Sequence, residues 1–345
     1  MTGIERLHKN ERILDSHGRT VSYLRLSVTD RCNLRCAYCF SKDIRFIDHQ
    51  SILRYEELLT IVDLAKELGI RKVRLTGGEP FVRKDFLWLV EHILARHPEL
   101  DLRITTNATL LAGKVRTLKE LGVTHLNVSL DTLDPRKFVD ITGRDFFRQV
   151  RSALDEVMAE GIKLKVNAVA MRGVNDDELP AFLALARDNP LDMRFIEFMP
   201  MGDDDLWSDM RYWPASDILR QVEELAELVP VQSFDGGPDA DRGPARVYSI
   251  KGGKGRLGLI SPLSDHFCGT CNRLRITPDG KLRTCLFSDR EYRLLPMLRH
   301  PNLGPEAVLR AMRLASTRKP LGYKLLAARA KGHSVAGKRM SAIGG

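Results

Sequence analysis

The strongest constraint on the fold of this chain is a repeated alternation of strand-like and helix-like stretches. The helix-like segments carry apolar residues at helical spacing, as in 54–69, 86–97 and 147–161. Such alternation favours parallel strands joined by helical crossovers, and so an α/β fold, either an α/β barrel or an open doubly wound sheet. Six stretches have the composition of strands: VSYLRLSV (21–28), KVRLT (72–76), LRIT (102–105), HLNVSL (125–130), KLKVNAVA (163–170) and MRFIEFM (193–199).

The pattern changes in the last third of the chain. Residues 235–244 are rich in glycine, proline and aspartate and are typical of a linker. Two hairpins are predicted behind it, at 245–260 and 273–286, and helical spacing returns near the end of the chain. We therefore predict two domains, a β/α body over 1–230 and a mixed α+β extension over 231–345.

Composition limits the classes of protein that the chain can belong to. Its 345 residues are 43% hydrophobic, which is enough for a large core, but no apolar run is long enough to cross a bilayer. Residues 1–15 are charged and lack the apolar region of a secretory signal, so we expect a cytoplasmic protein with no membrane association. The formal net charge of +9 is compatible with an anionic partner or with a solvated basic surface.

Three cysteines, Cys32, Cys36 and Cys39, follow the first predicted strand with the spacing C-x3-C-x2-C. Catalytic groups of β/α folds gather at the carboxyl ends of the strands, so this loop is a candidate active site. In a reducing compartment, clustered cysteines indicate metal ligands or catalytic groups rather than disulfides. Three thiolates can bind three irons of a cubane cluster and leave one iron open, whereas electron-transfer clusters have four cysteine ligands. A zinc site with a distant fourth ligand, or unpaired buried cysteines, are the alternatives.

A second cysteine triad, Cys268, Cys271 and Cys285, lies in the predicted extension. The hairpin between the last two would bring Cys285 back beside the others, so a self-contained site of three thiolates is one interpretation. A zinc site completed by His266, or one centre shared by all six cysteines, remains open at this point. The +9 charge also allows a zinc-containing nucleic-acid-binding protein, although no aromatic residues interleave with the basic ones, which argues against nucleic acid.

The first triad resembles a known motif. CNLRCAYC after one strand and GGEP (77–80) after the next resemble the radical S-adenosylmethionine (SAM) superfamily. That resemblance implies an incomplete TIM-like (β/α)6 barrel with a 4Fe–4S cluster whose open iron binds SAM. With the second triad, the chain resembles the GTP 3′,8-cyclase (MoaA) family of molybdenum cofactor biosynthesis, from residue 23 to the last residue. This implies an α+β extension that carries a second 4Fe–4S cluster.

The family resemblance also implies roles for individual residues. The first triad would bind and cleave SAM, and the second would bind the guanine of GTP. The implied SAM contacts are Tyr38, Gly78, Ser129 and Met199. The implied GTP contacts are Arg25, Lys72, Arg74, Thr105, Lys165, Arg194, Arg273, Leu274 and Arg275. The implied catalytic residues of the tail are Arg339, Gly344 and Gly345.

The implied reaction is the conversion of GTP to (8S)-3′,8-cyclo-7,8-dihydroguanosine 5′-triphosphate. A hydrogen atom would leave C3′ of the ribose, and C3′ would then bond to C8 of guanine. The implied partners are a reductant protein of flavodoxin or ferredoxin type and a downstream cyclic pyranopterin monophosphate synthase, and a homodimer is left open. The alternative within the superfamily is another radical SAM enzyme with an auxiliary cluster, acting on a peptide or other substrate.

Overall fold

The strands of the protein match the predicted alternation. A computed structural model describes residues 13–39, 45–202, 208–231, 243–329, 337–338 and 340–344. The strands are β1 (Tyr23–Ser27), β2 (Lys72–Thr76), β3 (Asp101–Thr106), β4 (His125–Ser129), β5 (Lys163–Ala170), β6 (Leu191–Glu197), β7 (Leu228–Pro230), β8 (Ala245–Ile250), β9 (Arg256–Ile260), β10 (Arg273–Ile276), β11 (Lys281–Arg283) and β12 (Tyr292–Arg293).

Helices connect the first six strands and surround the later ones. The α-helices are α1 (Tyr55–Glu67), α2 (Phe86–Arg96), α3 (Val115–Glu120), α4 (Pro135–Thr142), α5 (Phe147–Ala159), α6 (Leu179–Asp188), α7 (Ala215–Leu225), α8 (Leu295–Arg299), α9 (Gly304–Thr317), α10 (Gly322–Arg329) and α11 (Met340–Ile343). Short 3-10 helices occupy His49–Ser51, Pro80–Val82, Asp176–Glu178 and Phe267–Thr270. None of the helices in the described part of the chain has the length and apolar content that a membrane crossing needs.

Local sequence signals explain where individual helices begin and end. At α4, the Asp134 carboxylate accepts hydrogen bonds from the backbone N–H groups of Arg136 and Lys137, which otherwise lack a partner in the first turn. Pro135 occupies the first turn, where no N–H is needed. Gly143 ends the helix at a φ of +67°, a conformation that costs glycine little. Short helices of this kind fill the crossovers that the parallel strands require.

The strands form one open sheet in the order β12-β11-β10-β1-β2-β3-β4-β5-β6-β9-β8-β7. β1 to β6 are parallel in chain order, and β10 and β9 extend them in parallel at the two edges. Each added strand belongs to an antiparallel hairpin, β9 with β8 and β10 with β11, as predicted for 245–260 and 273–286. Within the described residues the two ends of the sheet do not pair, so the barrel is incomplete. The division at residue 230 remains a prediction, since strands from both sides of it share this sheet.

The two faces of the sheet differ in chemistry. In β1, Leu24 and Leu26 are fully buried among the helices, whereas Tyr23 and Arg25 alternate with them and line the concave face. β2 repeats this pattern with Val73 and Leu75 on the helix side and basic residues between them. Because strand side chains alternate between faces, apolar residues build the core against the helices. The concave face is left polar and positively charged.

Candidate active site

The first triad lies in a loop that packs directly against the GGEP turn. A Cβ atom at Gly77 would lie 2.5 Å from the carbonyl oxygen of Thr29, and one at Gly78 would lie 2.2 Å from that of Arg31. Two backbone hydrogen bonds join the loops, from Gly78 N to Thr29 O over 2.7 Å and from Glu79 N to Arg31 O over 2.8 Å. Both positions therefore require glycine, because any side chain would push the cysteine loop away.

Glu79 fixes the next strand end to the same loop. Its buried carboxylate accepts hydrogen bonds from Asn107 N over 2.6 Å and from Thr106 Oγ1 over 2.8 Å. Burial raises the pKa of Glu79 to about 7, although these hydrogen bonds act to lower it. Asn107 in turn points its Nδ2 at Cys32 Sγ, at a distance of 3.6 Å. The carboxyl ends of β1, β2 and β3 are thus joined around the first triad.

Tyr38, which lies between two cysteines, is oriented by a residue that sequence reasoning missed. Its hydroxyl donates to Asp131 Oδ2 over 2.6 Å, and Asp131 Oδ1 accepts from Val169 N over 2.8 Å. Burial raises the pKa of both the Tyr38 hydroxyl and the Asp131 carboxyl. Phe198 packs edge-on against the tyrosine ring, with 6.3 Å between ring centroids. The ring that the resemblance assigns to SAM is therefore held in place by β4 and β5.

The second triad is brought together as the hairpin prediction required. β10 and β11 pair antiparallel and return the chain, so that Cys285 lies beside the first two cysteines. A Cβ atom at Gly322 would lie 3.0 Å from Cys285 Sγ and 3.5 Å from Cys268 Sγ, so these sulfurs are close neighbours. Burial by itself raises the pKa of Cys271, but Arg273 and Lys319 outweigh it and lower that pKa to about 6. A thiolate is thereby favoured at this position.

Each triad offers three cysteine thiols, which are ligands of iron–sulfur clusters and also of zinc. None of the six cysteines, all of which are described, forms a disulfide. Among the described residues, no group of three or more His, Cys, Asp or Glu side chains is arranged to hold a metal ion. A zinc site would draw its ligands around one ion at about 2.3 Å per sulfur, whereas the thiolates of a cluster bind different irons. His266, the alternative zinc ligand, bonds through Nδ1 to Pro262 O over 2.8 Å.

Both triads open into one cavity of about 740 Å³ on the concave face of the sheet. The residues assigned to SAM by resemblance all line it: Tyr38, Gly78, Ser129 and Met199. So do most of those assigned to GTP: Arg25, Lys72, Arg74, Thr105, Lys165, Arg194, Arg273 and Arg275. Leu274 is the exception, because its side chain is fully buried in the apolar core, so only its backbone can face a ligand.

The crowding of cations shapes the electrostatics of this cavity. Burial and neighbouring positive charges lower the pKa of Lys165 to about 7 and that of Lys72 to about 8. Burial likewise lowers the pKa of Arg25 and Arg194 to about 10. Arg275 is shifted in the same direction by burial and by the repulsion of Arg25. Gathering buried cations costs free energy unless an anion joins them, so the cavity is suited to a polyanionic ligand.

Polar contacts on the cavity wall leave further groups for a ligand. Arg74 Nη1 donates to Thr105 Oγ1 over 3.2 Å, and its Nε donates to the Tyr23 hydroxyl. In contrast, the buried atoms Arg194 Nε, Asn127 Oδ1 and Asn167 Oδ1 find no hydrogen-bond partner among the described residues. Buried polar atoms normally have partners, so these groups are free to bind substrate or cofactor. Neither asparagine was identified from the sequence, where each is one polar residue in an alternating strand.

The end of the chain reaches the wall of the same cavity, where Met340 is a lining residue. Gly344 adopts a φ of +70°, and a Cβ atom there would lie 2.8 Å from Ser27 Cβ. Its carbonyl oxygen accepts a hydrogen bond from Arg275 Nη1 over 3.2 Å. Lys338 anchors the tail by donating to Glu291 Oε1 over 2.6 Å. The two other catalytic residues implied by resemblance, Arg339 and Gly345, lie outside the described residues.

The sheet and the cysteine loop define the class of protein. A family model described as the radical SAM superfamily matches residues 26–186, and one described as Molybdenum Cofactor Synthesis C matches residues 191–325. Streptococcus suis SuiB bound to S-adenosylmethionine has a similar fold, with a TM-score of 0.59 over 85% of this chain and 69% of that chain. At 17% identity this likeness shows the fold alone. The chain is a member of the radical SAM superfamily, which works with SAM and a 4Fe–4S cluster.

Relatives that match over most of their length show which family of the superfamily the chain belongs to. The GTP 3′,8-cyclase of Syntrophomonas wolfei is 46% identical over 297 residues, which cover 85% of this chain and 89% of that protein. The GTP 3′,8-cyclase of Petrotoga mobilis is 40% identical over 336 residues, or 96% and 100% of the two chains. That of Listeria monocytogenes is 38% identical over 338 residues, or 96% and 98%. The chain belongs to the GTP 3′,8-cyclase family, which confirms the resemblance found from its motifs.

Proposed function

We propose that the protein converts GTP to (8S)-3′,8-cyclo-7,8-dihydroguanosine 5′-triphosphate, the first step of molybdenum cofactor biosynthesis. The observation that carries this proposal is the single cavity lined by both cysteine triads and by a ring of basic side chains. Several cations are needed to balance the charge of a triphosphate, and arginine forms bidentate, charge-assisted hydrogen bonds to phosphate oxygens. Membership in the GTP 3′,8-cyclase family supports the same substrate.

The first triad, Cys32, Cys36 and Cys39, would hold the cluster that binds SAM. When bound, the cluster and SAM together supply the radical that removes a hydrogen atom from the substrate. The protein's own part is to orient these groups. Tyr38 is fixed by Asp131 at the adenine side, and the Met199 loop is fixed by Arg329, whose Nη2 donates to Gly202 O over 2.9 Å.

The second triad, Cys268, Cys271 and Cys285, would hold a second 4Fe–4S cluster that binds the guanine end of GTP. Arg273 and Arg275 follow Cys271 on β10 and alternate with Leu274, so both arginines face the cavity. The remaining basic residues would bind the triphosphate: Arg25, Lys72, Arg74, Lys165 and Arg194. Thr105, bonded to Arg74, would complete this site. GTP bound at both ends would present its ribose to the SAM side of the cavity.

The tail would act in the cyclisation itself. Gly344 is already bonded to Arg275, a proposed GTP ligand, so the last residues approach the substrate from the β1–β2 side of the cavity. We propose that Arg339, Gly344 and Gly345 take part in the rearrangement of the substrate. A cavity filled by this tail would also exclude water and stray hydrogen donors from the reacting atoms.

The remaining partners are proposed from family membership. A flavodoxin- or ferredoxin-type protein would supply electrons, and a cyclic pyranopterin monophosphate synthase would take the product. A cytoplasmic location suits the six cysteines, none of which is paired in a disulfide. A homodimer is compatible with this proposal, which assigns no role to nucleic acid or to a membrane.

Anaerobic reconstitution tests the proposal. The protein should bind about eight irons per chain, and with GTP, SAM and a reductant it should form 5′-deoxyadenosine and the cyclic nucleotide. Replacing Cys268, Cys271 or Cys285 by alanine should reduce iron to about four per chain and stop cyclisation while SAM cleavage continues. Cys32→Ala should abolish cleavage, which makes it the matched control.

Two results would contradict the proposal. Zinc in place of iron and sulfide would remove its chemical basis altogether. SAM cleavage without any cyclic nucleotide, in protein with both clusters intact, would indicate a different substrate, such as the peptide considered from the sequence.

A further inference from the structure

A lysine that the proposed mechanism does not use lies buried beside the second triad. Lys319 is 2% exposed and is among the largest fully buried side chains. Its Nζ donates hydrogen bonds to two backbone carbonyl oxygens, of Arg273 over 2.8 Å and of Thr284 over 2.5 Å. Burying an ammonium is costly, so a lysine in this position has a specific task.

The two carbonyls lie where the hairpin of the triad opens. β10 and β11 pair at Arg275–Arg283 and at Ile276–Leu282, and the strands separate beyond Arg275. Arg273 follows Cys271 by two residues, and Thr284 precedes Cys285 directly. The ammonium of Lys319 therefore bridges the strands just where backbone pairing ends and the two cysteines begin.

The third cysteine is tied to the same residue through Arg19. Arg19 Nη1 donates to Cys268 O over 2.7 Å, and its Nη2 donates to Lys319 O over 2.9 Å. A buried salt bridge from Arg19 Nε to Asp15 Oδ2, over 2.5 Å, holds the guanidinium in place. The segments of Cys271 and Cys285 are thus bonded to the side chain of Lys319, and the segment of Cys268 is joined to its backbone through Arg19.

In the described part of the chain, the acidic groups near the Lys319 ammonium are cysteine thiols rather than carboxylates. Within the described residues no carboxylate lies within ion-pair distance of its ammonium, and the acidic groups that it faces are the thiols of Cys271 and Cys285. A buried cation without a carboxylate needs another anion. Cysteine thiolates bound to a cluster are such anions, and positive charge or hydrogen bonding near cluster sulfurs raises the reduction potential.

We propose that Lys319 is the positioning residue of the second cluster. It holds the open end of the β10–β11 hairpin so that Cys271 and Cys285 reach one cluster, and its charge raises the reduction potential of that cluster. This inference rests on the proposed function, which puts a 4Fe–4S cluster on the second triad.

The test uses the full chain with Cys32, Cys36 and Cys39 replaced by alanine, so that only the second cluster is present. In this parent protein, Lys319→Met removes the charge and both hydrogen bonds at nearly constant size. Lys324→Met is the matched control, because Lys324 is exposed on α10 only five positions away. The readouts are iron per chain and the midpoint potential, followed by electron paramagnetic resonance during a redox titration.

We expect Lys319→Met to bind less iron than the parent and to shift the oxidised-to-reduced ratio at least tenfold at a fixed potential. For a one-electron couple this corresponds to a midpoint lower by about 59 mV. Lys324→Met should match the parent in both readouts. Unchanged iron content and unchanged midpoint in Lys319→Met would overturn the inference.

Two further outcomes separate this inference from the function on which it rests. A parent protein that binds no iron would refute the second cluster, and with it both the proposed guanine site and the role of Lys319. If circular dichroism shows that Lys319→Met is unfolded, Lys319→Gln takes its place, since it keeps N–H donors but has no charge. A Gln variant with the parental midpoint would overturn the proposed effect of charge.

Discussion

Arg275 Nη1 donates a hydrogen bond to the carbonyl oxygen of Gly344 over 3.2 Å, across 69 positions of the chain. Arg275 belongs to β10, two residues beyond Arg273, and Gly344 belongs to the tail behind α11. The contact is buried, and Arg275 lines the cavity onto which both cysteine triads open. A proposed substrate ligand and a proposed catalytic residue are therefore in direct contact.

The first prediction concerns Gly344. Its φ of +70° and the nearby Ser27 leave no room for a side chain, and alanine in a left-handed conformation costs about 1–2 kcal/mol before any clash. We expect Gly344→Ala to displace the tail and to reduce formation of the cyclic nucleotide at least tenfold, with 5′-deoxyadenosine still formed. Chromatography of both products measures the two effects together.

Gly113→Ala is the matched control for that substitution. Gly113 has a φ of +76°, but a Cβ atom there would meet nothing within 4 Å, and the residue does not line the cavity. It should lose some stability and keep its product yield. Equal yields from Gly344→Ala and from the unchanged protein would show that the tail has no part in cyclisation.

The second prediction separates the two clusters through Gly78. A Cβ atom at this position would lie 2.2 Å from Arg31 O, so Gly78→Ala must push the cysteine loop away from the GGEP turn. We expect loss of the first cluster, with iron falling by about half and SAM cleavage lost, while the second cluster remains. Iron analysis and electron paramagnetic resonance measure this, and a Gly78→Ala protein with full iron and full SAM cleavage would contradict it.

The third prediction is that Arg275→Ala weakens GTP binding. Removing hydrogen bonds from a charged group costs about 1.5–3 kcal/mol, so we expect a roughly ten- to hundredfold higher dissociation constant. Arg290→Ala is the control, because Arg290 is exposed and stacks on Tyr292 instead of lining the cavity. Calorimetry with GTP under anaerobic conditions gives both values. An unchanged affinity in Arg275→Ala would refute its role as a GTP ligand.

The fourth prediction links GTP affinity to pH. Burial and the repulsion of Arg194 lower the pKa of Lys165 to about 7, so in the GTP-free protein this lysine is largely neutral above that pH. A bound triphosphate favours the charged form and raises this pKa, so binding takes up a proton. The affinity is then greatest below pH 7 and falls as the pH rises through 7 toward the pKa of the complex.

Calorimetry in buffers of different ionisation enthalpy measures that proton uptake near pH 8. Lys165→Met should lower the number of protons taken up. Proton uptake by Lys72 should remain, because burial lowers the pKa of Lys72 to about 8. Binding that takes up no proton in either protein would contradict this account of the cavity.

Much of the fold could be predicted from local sequence patterns. β2 and β5 match the predicted stretches residue for residue, because alternation of charged and apolar residues within one strand is a local signal. The pairing of β10 with β1 and of β9 with β6 was not predicted. Parallel pairing depends on where the edges of the sheet lie in space, and nothing within either strand records its neighbour.

The residues of the candidate site also fall into those that the sequence predicts and those that it does not. The cysteines and arginines were identified because the spacing of motifs and the position of residues along predicted strands are visible in the sequence. Lys319 and Asp131 were missed, because their partners are distant in the chain: Tyr38 is 93 positions from Asp131, and Arg273 is 46 positions from Lys319. A single buried lysine or aspartate has no signature in sequence, and only the packed structure shows what it holds.

In the proposed complex, the cavity holds GTP so that its C3′ hydrogen faces the SAM side. The most direct test is turnover with GTP that carries deuterium at C3′, followed by mass analysis of the 5′-deoxyadenosine that forms. The account predicts that the deuterium appears in 5′-deoxyadenosine and that the cyclic nucleotide has lost it. Unlabelled 5′-deoxyadenosine, formed together with a nucleotide that keeps its deuterium, would contradict the account.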